Sequence, residues 1–98
     1  MFEIGLGDAG EIVMVGRLDT AQADKAQRLL DGVEAPCTID FSRLEFISSS
    51  GLGVLLITQK RLAKTGSSLK LTKMSKSIRD VFRWSGFDRI FDIEDDDT

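Results

Sequence analysis

The residues best placed for chemistry are the serines of "FISSSGLGVLL", Phe46 to Leu56, where Ser48, Ser49 and Ser50 run into Gly51-Leu52-Gly53 and an apolar stretch. A serine hydroxyl can attack a substrate, accept a phosphoryl group, or cap a helix. Attack needs a base. The chain has no histidine and a single cysteine, Cys37. That removes Ser-His and Cys-His nucleophiles, histidine metal ligation and multi-thiolate zinc sites. Ser49 with a lysine such as Lys60 or Lys73 is the remaining enzymatic option, and no pattern in the sequence marks an oxyanion pocket for it. Capping and phosphoryl acceptance are left.

Both belong at a helix start. Free backbone N–H groups and the positive end of the helix dipole meet there, and serine is among the best N-caps. Gly51 and Gly53 need a further reason, because glycine inside a helix costs ~1 kcal/mol against alanine. They leave the helix start bare, so that another protein or a phosphate can approach the backbone closely. A phosphate would add about −1.5 to −2 charges at a place whose dipole tolerates them. The surface offered to a partner would change at little cost in stability. Residue physics alone leaves a plain cap and a switch side by side.

The other motifs read more simply. "GLGDAG", Gly5 to Gly10, matches the G-x-G-x-x-G fingerprint, but that chemistry needs a helix to follow. Strand-like "EIVMVG" follows instead, so a hairpin turn is expected. The acids Glu94 to Asp97 lack the spacing of a calcium loop and read as a solvated tail. Cys37 reads as a small buried hydrophobe. Trp84, beside Phe82 and Phe87, is expected in core or edge packing. Leu52, an apolar residue between two glycines, is a candidate docking knob as well as a core residue.

The positioning elements follow from periodicity. "FEIGL" and "EIVMVGRL" predict two strands joined as an antiparallel hairpin, the second covered on both faces. "LDTAQADKAQRLLDG" predicts a helix capped by Asp19 or Thr20, and "APCTIDF" a third strand. A helix from about Ser49 to Thr65, a strand in "SLKLT" and a helix in "SKSIRDVFRWSG" capped by Ser75 or Ser77 follow. "FDRIFDI" is a last strand or docked tail. Strands alternating with helices imply parallel crossovers. The expected class is α/β: about five mostly parallel strands in one layer, an N-terminal antiparallel hairpin, and three or more helices.

With 98 residues, 42% hydrophobic and 30% charged, the chain suits one small globular domain. Its net charge of −3 argues against nucleic acid, which calls for a basic face. No stretch has the length of a membrane span, and the N-terminus is not a signal peptide. A cytoplasmic protein without a cofactor, regulatory rather than catalytic, is the expectation.

At this point the residues resemble a family. "TIDFSRLEFISSSGLGVLL" is similar to the signature of STAS domains, in particular the bacterial anti-sigma-factor antagonists. "VGRLDTAQADKAQRLL" and "IRDVFRWSGFDRIFDI" resemble that family's first and closing helices, and the match spans most of the chain as a single domain, residues 1–98. The resemblance implies a partner switch. The unphosphorylated protein binds an anti-sigma factor that is also a serine kinase of the histidine-kinase-like ATPase fold, which frees the sigma factor. Phosphorylation by that kinase ends the complex, and a metal-dependent serine phosphatase restores it. The family's phosphoacceptor falls on Ser49. Ser50, Gly51, Leu52 and Gly53 match the rest of the motif, and Asp19 matches an acidic residue before the first helix. These residues, with Ser48, form the implied partner-binding edge. Ser48 stands where the family has Asp, which removes a carboxylate beside the acceptor. An alternative within the same fold is a STAS subunit of an ABC-type lipid transport system, docking on its ATPase without phosphorylation.

Overall fold

The computed structural model describes residues 1–34 and 36–94. The chain opens with an antiparallel hairpin, β1 (Phe2–Leu6) and β2 (Ile12–Leu18). A 3-10 turn (Thr20–Gln22) leads into α1 (Ala23–Leu30), followed by β3 (Cys37–Ile47) and α2 (Ser49–Ala63). Then come β4 (Leu69–Thr72), α3 (Lys76–Ser85), a second 3-10 turn (Phe87–Arg89) and β5 (Asp92–Glu94). The five strands form one sheet in the order β1-β2-β3-β4-β5, and every pairing after the hairpin is parallel. The expected class is the observed one.

"GLGDAG" makes the hairpin turn, closed by Gly7 N–H donating to the Glu11 carbonyl at 2.7 Å, with Gly10 at φ 83°. Strands flank it on both sides, so the fingerprint has no helix to offer a pyrophosphate. At the sheet edge, Lys25 Nζ donates to the Phe2 carbonyl at 3.0 Å and lies 3.8 Å from Glu3. A charged side chain there blocks the pairing of another strand on β1.

One face of the sheet carries the core. Ile12 and Met14 of β2, Ile39 and Phe41 of β3, and Leu69 and Leu71 of β4 are fully buried. They form one cluster with Leu30 of α1, Leu55 of α2 and Phe82 of α3, so all three helices lie on that face. The alternate residues of β2, Val13 and Val15, are only half-buried, which corrects the expectation of a strand covered on both sides. The apolar run of β2 belongs to a half-covered sheet. The aromatic part of the core is a chain of edge-to-face contacts: Phe41 to Phe82 at 6.0 Å and Phe82 to Phe91 at 5.7 Å.

Several boundaries differ from the sequence pattern. The third strand runs on through "SRLEFI" to Ile47. Its register explains why alternation fails to show this: Val13 pairs with Asp40 but Val15 with Arg43, and a second shift follows between Gly16 and Arg17. Each bulge inserts a residue into β3, so its buried positions Phe41, Leu44 and Ile47 fall three apart. The first helix starts later than expected. Asp19 is extended, at φ −96° and ψ −178°, and its side chain makes no capping bond. Trp84 lies outside the core: it is 81% exposed, and Ser85 is exposed beside it, its Oγ donating to the Phe82 carbonyl at 3.1 Å. Ser75 is the cap of α3, accepting from Ile78 N–H at 3.3 Å, and Gly86 ends that helix in the left-handed conformation at φ 79°. Glu94, expected in the solvated tail, belongs to β5 and lies 3.2 Å from Lys70. Ala35 and the remaining tail, 95–98, fall outside the described residues.

Phe82 joins α3 to the sheet and to the chain's end through both aromatic contacts, and it is fully buried. Phe82→Ala is expected to lower unfolding free energy by about 3–5 kcal/mol. Urea denaturation checks this; a loss near zero would mean that α3 does not depend on this contact.

Candidate functional site

The site is the start of α2, and three neighbours build it. β2 ends at Leu18 and β3 at Ile47, side by side in register. Ser48 follows with extended backbone, φ −89° and ψ 172°, and its N–H donates to the Leu18 carbonyl at 2.9 Å. The sheet ladder therefore runs directly into the helix cap. Ser48 Oγ accepts from Gly51 N–H at 3.2 Å, satisfying one of the helix's free donors.

Gly51 is required by packing. A Cβ there would lie 2.8 Å from Leu18 Cγ and 3.0 Å from Ile47 Cγ1, closer than carbon atoms pack. The missing side chain lets the helix start press against the ends of both strands. Gly53 is the opposite case: nothing lies within 4 Å of where its Cβ would be. Its absent side chain leaves open surface on the outer side of the first turn. Leu52 is 7% exposed and belongs to the core, which removes it from the expected docking surface. An apolar side chain in the first turn of a helix laid against a sheet finds the core before it finds a partner.

The three hydroxyls have different fates. Ser48 is the cap. Ser50 is half-buried, and its Oγ lies 3.3 Å from Thr20 Oγ1, across to the 3-10 turn before α1. Ser49 is exposed, and its hydroxyl is engaged by no neighbour among the described residues. The first turn of α2 contains no acidic residue, so no local carboxylate offsets the dipole there.

Asp19 lies between Leu18 and Thr20, the two residues that touch the start of α2. Its Oδ1 is buried without a hydrogen-bond partner. A buried, unsatisfied carboxylate oxygen costs stability and is an unusual thing to keep. The fold thus brings Asp19, Ser48, Ser49, Ser50, Gly51 and Gly53 to one corner, with Leu52 beneath them.

One further residue joins this corner: the sequence pattern marks Thr20 only as a cap for α1, yet it contacts Ser50. Ile57, two turns beyond Ser49 with Gly53 between, is 57% exposed on the outer side of α2. Its signal in the sequence, an isoleucine off the buried stripe, is lost in the nearly unbroken run Val54 to Ile57.

Neither lysine proposed as a base suits Ser49. Lys60 lies eleven residues along α2, about 16 Å along the axis. Lys73 lies 3.8 Å from Asp40 and lines an open cleft of about 450 Å³ near the hairpin turn. A second cleft, about 360 Å³, lies beside Arg79 and Arg83. Neither cleft is lined by residues 48–53. Cys37 is half-buried, and burial pushes its thiol pKa up, away from reactivity. Among the described residues no group of three or more His, Cys, Asp or Glu is arranged to hold a metal ion, and no helix is long and apolar enough to cross a membrane.

A one-sided, mostly parallel sheet that delivers a serine-rich, glycine-flanked helix start between its strand ends defines a class of small α/β domain. The family model described as "Mlab, STAS domain" matches residues 5–93, and the chain belongs to the STAS-domain family. It is 37% identical over 73 residues to BtrV of Bordetella bronchiseptica, assigned as an anti-sigma factor antagonist. That alignment covers 74% of this chain and 57% of BtrV, so the chain spans little more than half the length of this relative. Among solved structures, an anti-sigma factor antagonist assigned in Thermotoga maritima superposes with a TM-score of 0.78 at 22% identity, covering 97% of this chain and 86% of that one. The Bacillus cell fate determinant SpoIIAA in its phosphorylated form gives a TM-score of 0.67 at 22% identity, covering 98% and 93%. Its unphosphorylated form gives 0.65 at 21%, covering 92% and 97%.

The two glycines of the motif make a direct contrast. Gly51→Ala is expected to cost about 1–3 kcal/mol, because the added methyl must displace Leu18 or Ile47 in a packed core. Gly53→Ala is expected to be neutral or to gain up to ~1 kcal/mol, having open space and a helical backbone. Paired chemical unfolding curves decide this, and the opposite ranking would refute the packing account of Gly51.

Proposed function

We propose that the protein is an anti-sigma-factor antagonist that works by partner switching, with Ser49 as phosphoacceptor. The observation that carries the reading is the distinct state of the Ser49 hydroxyl. It is exposed and unengaged at the start of α2, whereas Ser48 caps the helix and Ser50 contacts Thr20. The relatives assigned as antagonists and the fold shared with both forms of SpoIIAA support it.

In this reading the unphosphorylated corner docks on an anti-sigma factor that is also a serine kinase of the histidine-kinase-like ATPase fold. Gly53 lets the partner approach the helix backbone, and Ile57 adds apolar contact on the same side of α2. The kinase supplies nucleotide, Mg²⁺ and base, and this chain supplies only the hydroxyl. After transfer, the new charge sits at the dipole's positive end, where the domain tolerates it. The partner's surface, shaped for a neutral hydroxyl, does not tolerate it. A metal-dependent phosphatase returns the protein to its binding form. The protein is a substrate and ligand, not an enzyme, and acts in the cytoplasm without a cofactor.

A second reading keeps the corner as a static docking surface for the ATPase of a lipid transport system. It is favoured by Ser48, which fills the position before Ser49 with a neutral cap in place of the family's carboxylate.

Wild type and Ser49→Asp serve as parallel baits in cell lysate, with mass spectrometry of the retained proteins and of the bait. A kinase-type ATPase held by wild type and lost at least tenfold by Ser49→Asp is the expected result. A transporter ATPase held equally by both would replace the first reading with the second. Ser49→Ala is expected to keep the fold and the partner while losing all phosphate incorporation.

A further inference from the structure

We propose that Thr20 is a specificity-determining residue: by engaging Ser50 it biases phosphorylation toward Ser49. The inference rests on the function proposed above and adds the reason why one of two adjacent serines is the acceptor. Both belong to the first turn of α2, one residue apart, and both follow the cap. What separates them is a tertiary contact. Thr20 Oγ1 lies 3.3 Å from Ser50 Oγ, joining residues thirty positions apart, and among the described residues Ser49 has no counterpart to it.

The chemistry makes this contact matter. In the transfer, the serine oxygen forms a bond to the γ-phosphorus of a nucleoside triphosphate held by the kinase. The bond from that phosphorus to the β,γ-bridging oxygen breaks, the nucleoside diphosphate leaves, and the hydroxyl proton passes to the kinase's base. The attacking oxygen must have its lone pair directed at phosphorus and its proton directed at the base. Ser49 gives up nothing to reach that arrangement. Ser50 must first rotate away from Thr20 and lose a hydrogen bond.

The rest of the corner leaves Ser50 little other freedom. Gly51, the next residue, is held against Leu18 and Ile47, and the Ser48 N–H is held by the Leu18 carbonyl. The backbone on either side of Ser50 is fixed, so the Thr20 contact acts on the one soft coordinate left, the side-chain rotation. Thr20 itself is exposed, in a short turn with no buried residues, so replacing it leaves the core untouched.

The test uses the full chain expressed in its source cell, recovered and mapped for phosphoserine by fragment-ion mass spectrometry. Wild type is expected to carry phosphate on Ser49. Thr20→Val keeps the branched shape and removes the hydroxyl. It is expected to raise the Ser50-to-Ser49 ratio about two- to fivefold, the upper figure being the factor equivalent to one ordinary hydrogen bond and the contact being long at 3.3 Å. Thr20→Ser restores the hydroxyl and is expected to restore selectivity. In the Ser49→Ala background, Thr20→Val is expected to raise phosphate on Ser50 above the level of Ser49→Ala alone. A merely structural role for Thr20 would move the melting temperature but not the site ratio, so thermal unfolding is measured alongside. An unchanged ratio in a folded Thr20→Val protein would overturn the inference and leave the switch standing. Phosphate mainly on Ser50 in wild type would also overturn it. Wild type without phosphoserine would overturn the underlying function as well.

Discussion

The contact on which the corner depends is the seating of Gly51 against Leu18 and Ile47. Two parallel strands end at the same level, and the helix that follows the second begins in the space between their last side chains. Only a residue without Cβ fits there. Because it fits, the loop after β2 and the loop after β3 are held next to each other, and Thr20 meets Ser50 from thirty residues away. The Ser48 N–H bonded to the Leu18 carbonyl reinforces the same joint from the backbone side. Each feature of the site, including which hydroxyl is left over, follows from how closely the helix start can approach the strand ends.

A one-sided sheet suits this arrangement. With all three helices on one face, their apolar residues and those of the sheet make a single cluster, which a chain of this size needs in order to bury enough surface. The bulged β3 serves the same end. Its two inserted residues carry the strand from Phe41 to Ile47 while keeping Leu44 and Ile47 on the covered face. The helices are also tied to one another: Arg61 of α2 donates to the Leu30 carbonyl at the end of α1 at 2.7 Å, favourable for a cation at a helix C-terminus. Gln59 accepts from Leu69 N–H at 2.9 Å, joining α2 to the start of β4. α2 is therefore fixed along its length, and the freedom that remains at its start belongs to side chains.

Ser48 shows how the family's motif can vary without loss of architecture. At an N-cap, a serine oxygen and an aspartate oxygen both accept from the first-turn N–H groups, so the helix starts in the same place with either. What changes is charge. The helix start here keeps a bare positive dipole end, with the nearest acid of the corner on the neighbouring loop, where Asp19 holds a buried oxygen without a partner. A phosphate on Ser49, as proposed, would meet less local repulsion than it would beside a carboxylate.

Much of this was legible in the sequence, and the residues show why. The hairpin, the order of strands and helices, the helix stop at Gly86, and the serine-glycine start of α2 rest on local chemistry: turn residues, caps and short-range periodicity. Those are properties of a few adjacent residues, and they survive into the fold, apart from the start of α1, where Asp19 makes no capping bond. The extent of β3 was not legible, because a bulge breaks the alternation by which a strand is recognised. The exposure of Trp84 and the burial of Leu52 were not legible either, since an apolar side chain does not announce which side of its helix the sheet will cover. The roles of the three serines were the least accessible. Ser48, Ser49 and Ser50 are chemically identical in the sequence; the cap bond of the first to Gly51 is local, but Leu18 beside the first and Thr20 against the third lie about thirty residues away, and among the described residues none engages the hydroxyl of the second. The sequence by itself determined that a hydroxyl-rich helix start would exist. Tertiary structure alone decided which hydroxyl is free, because that depends on what the neighbouring strand end brings alongside it.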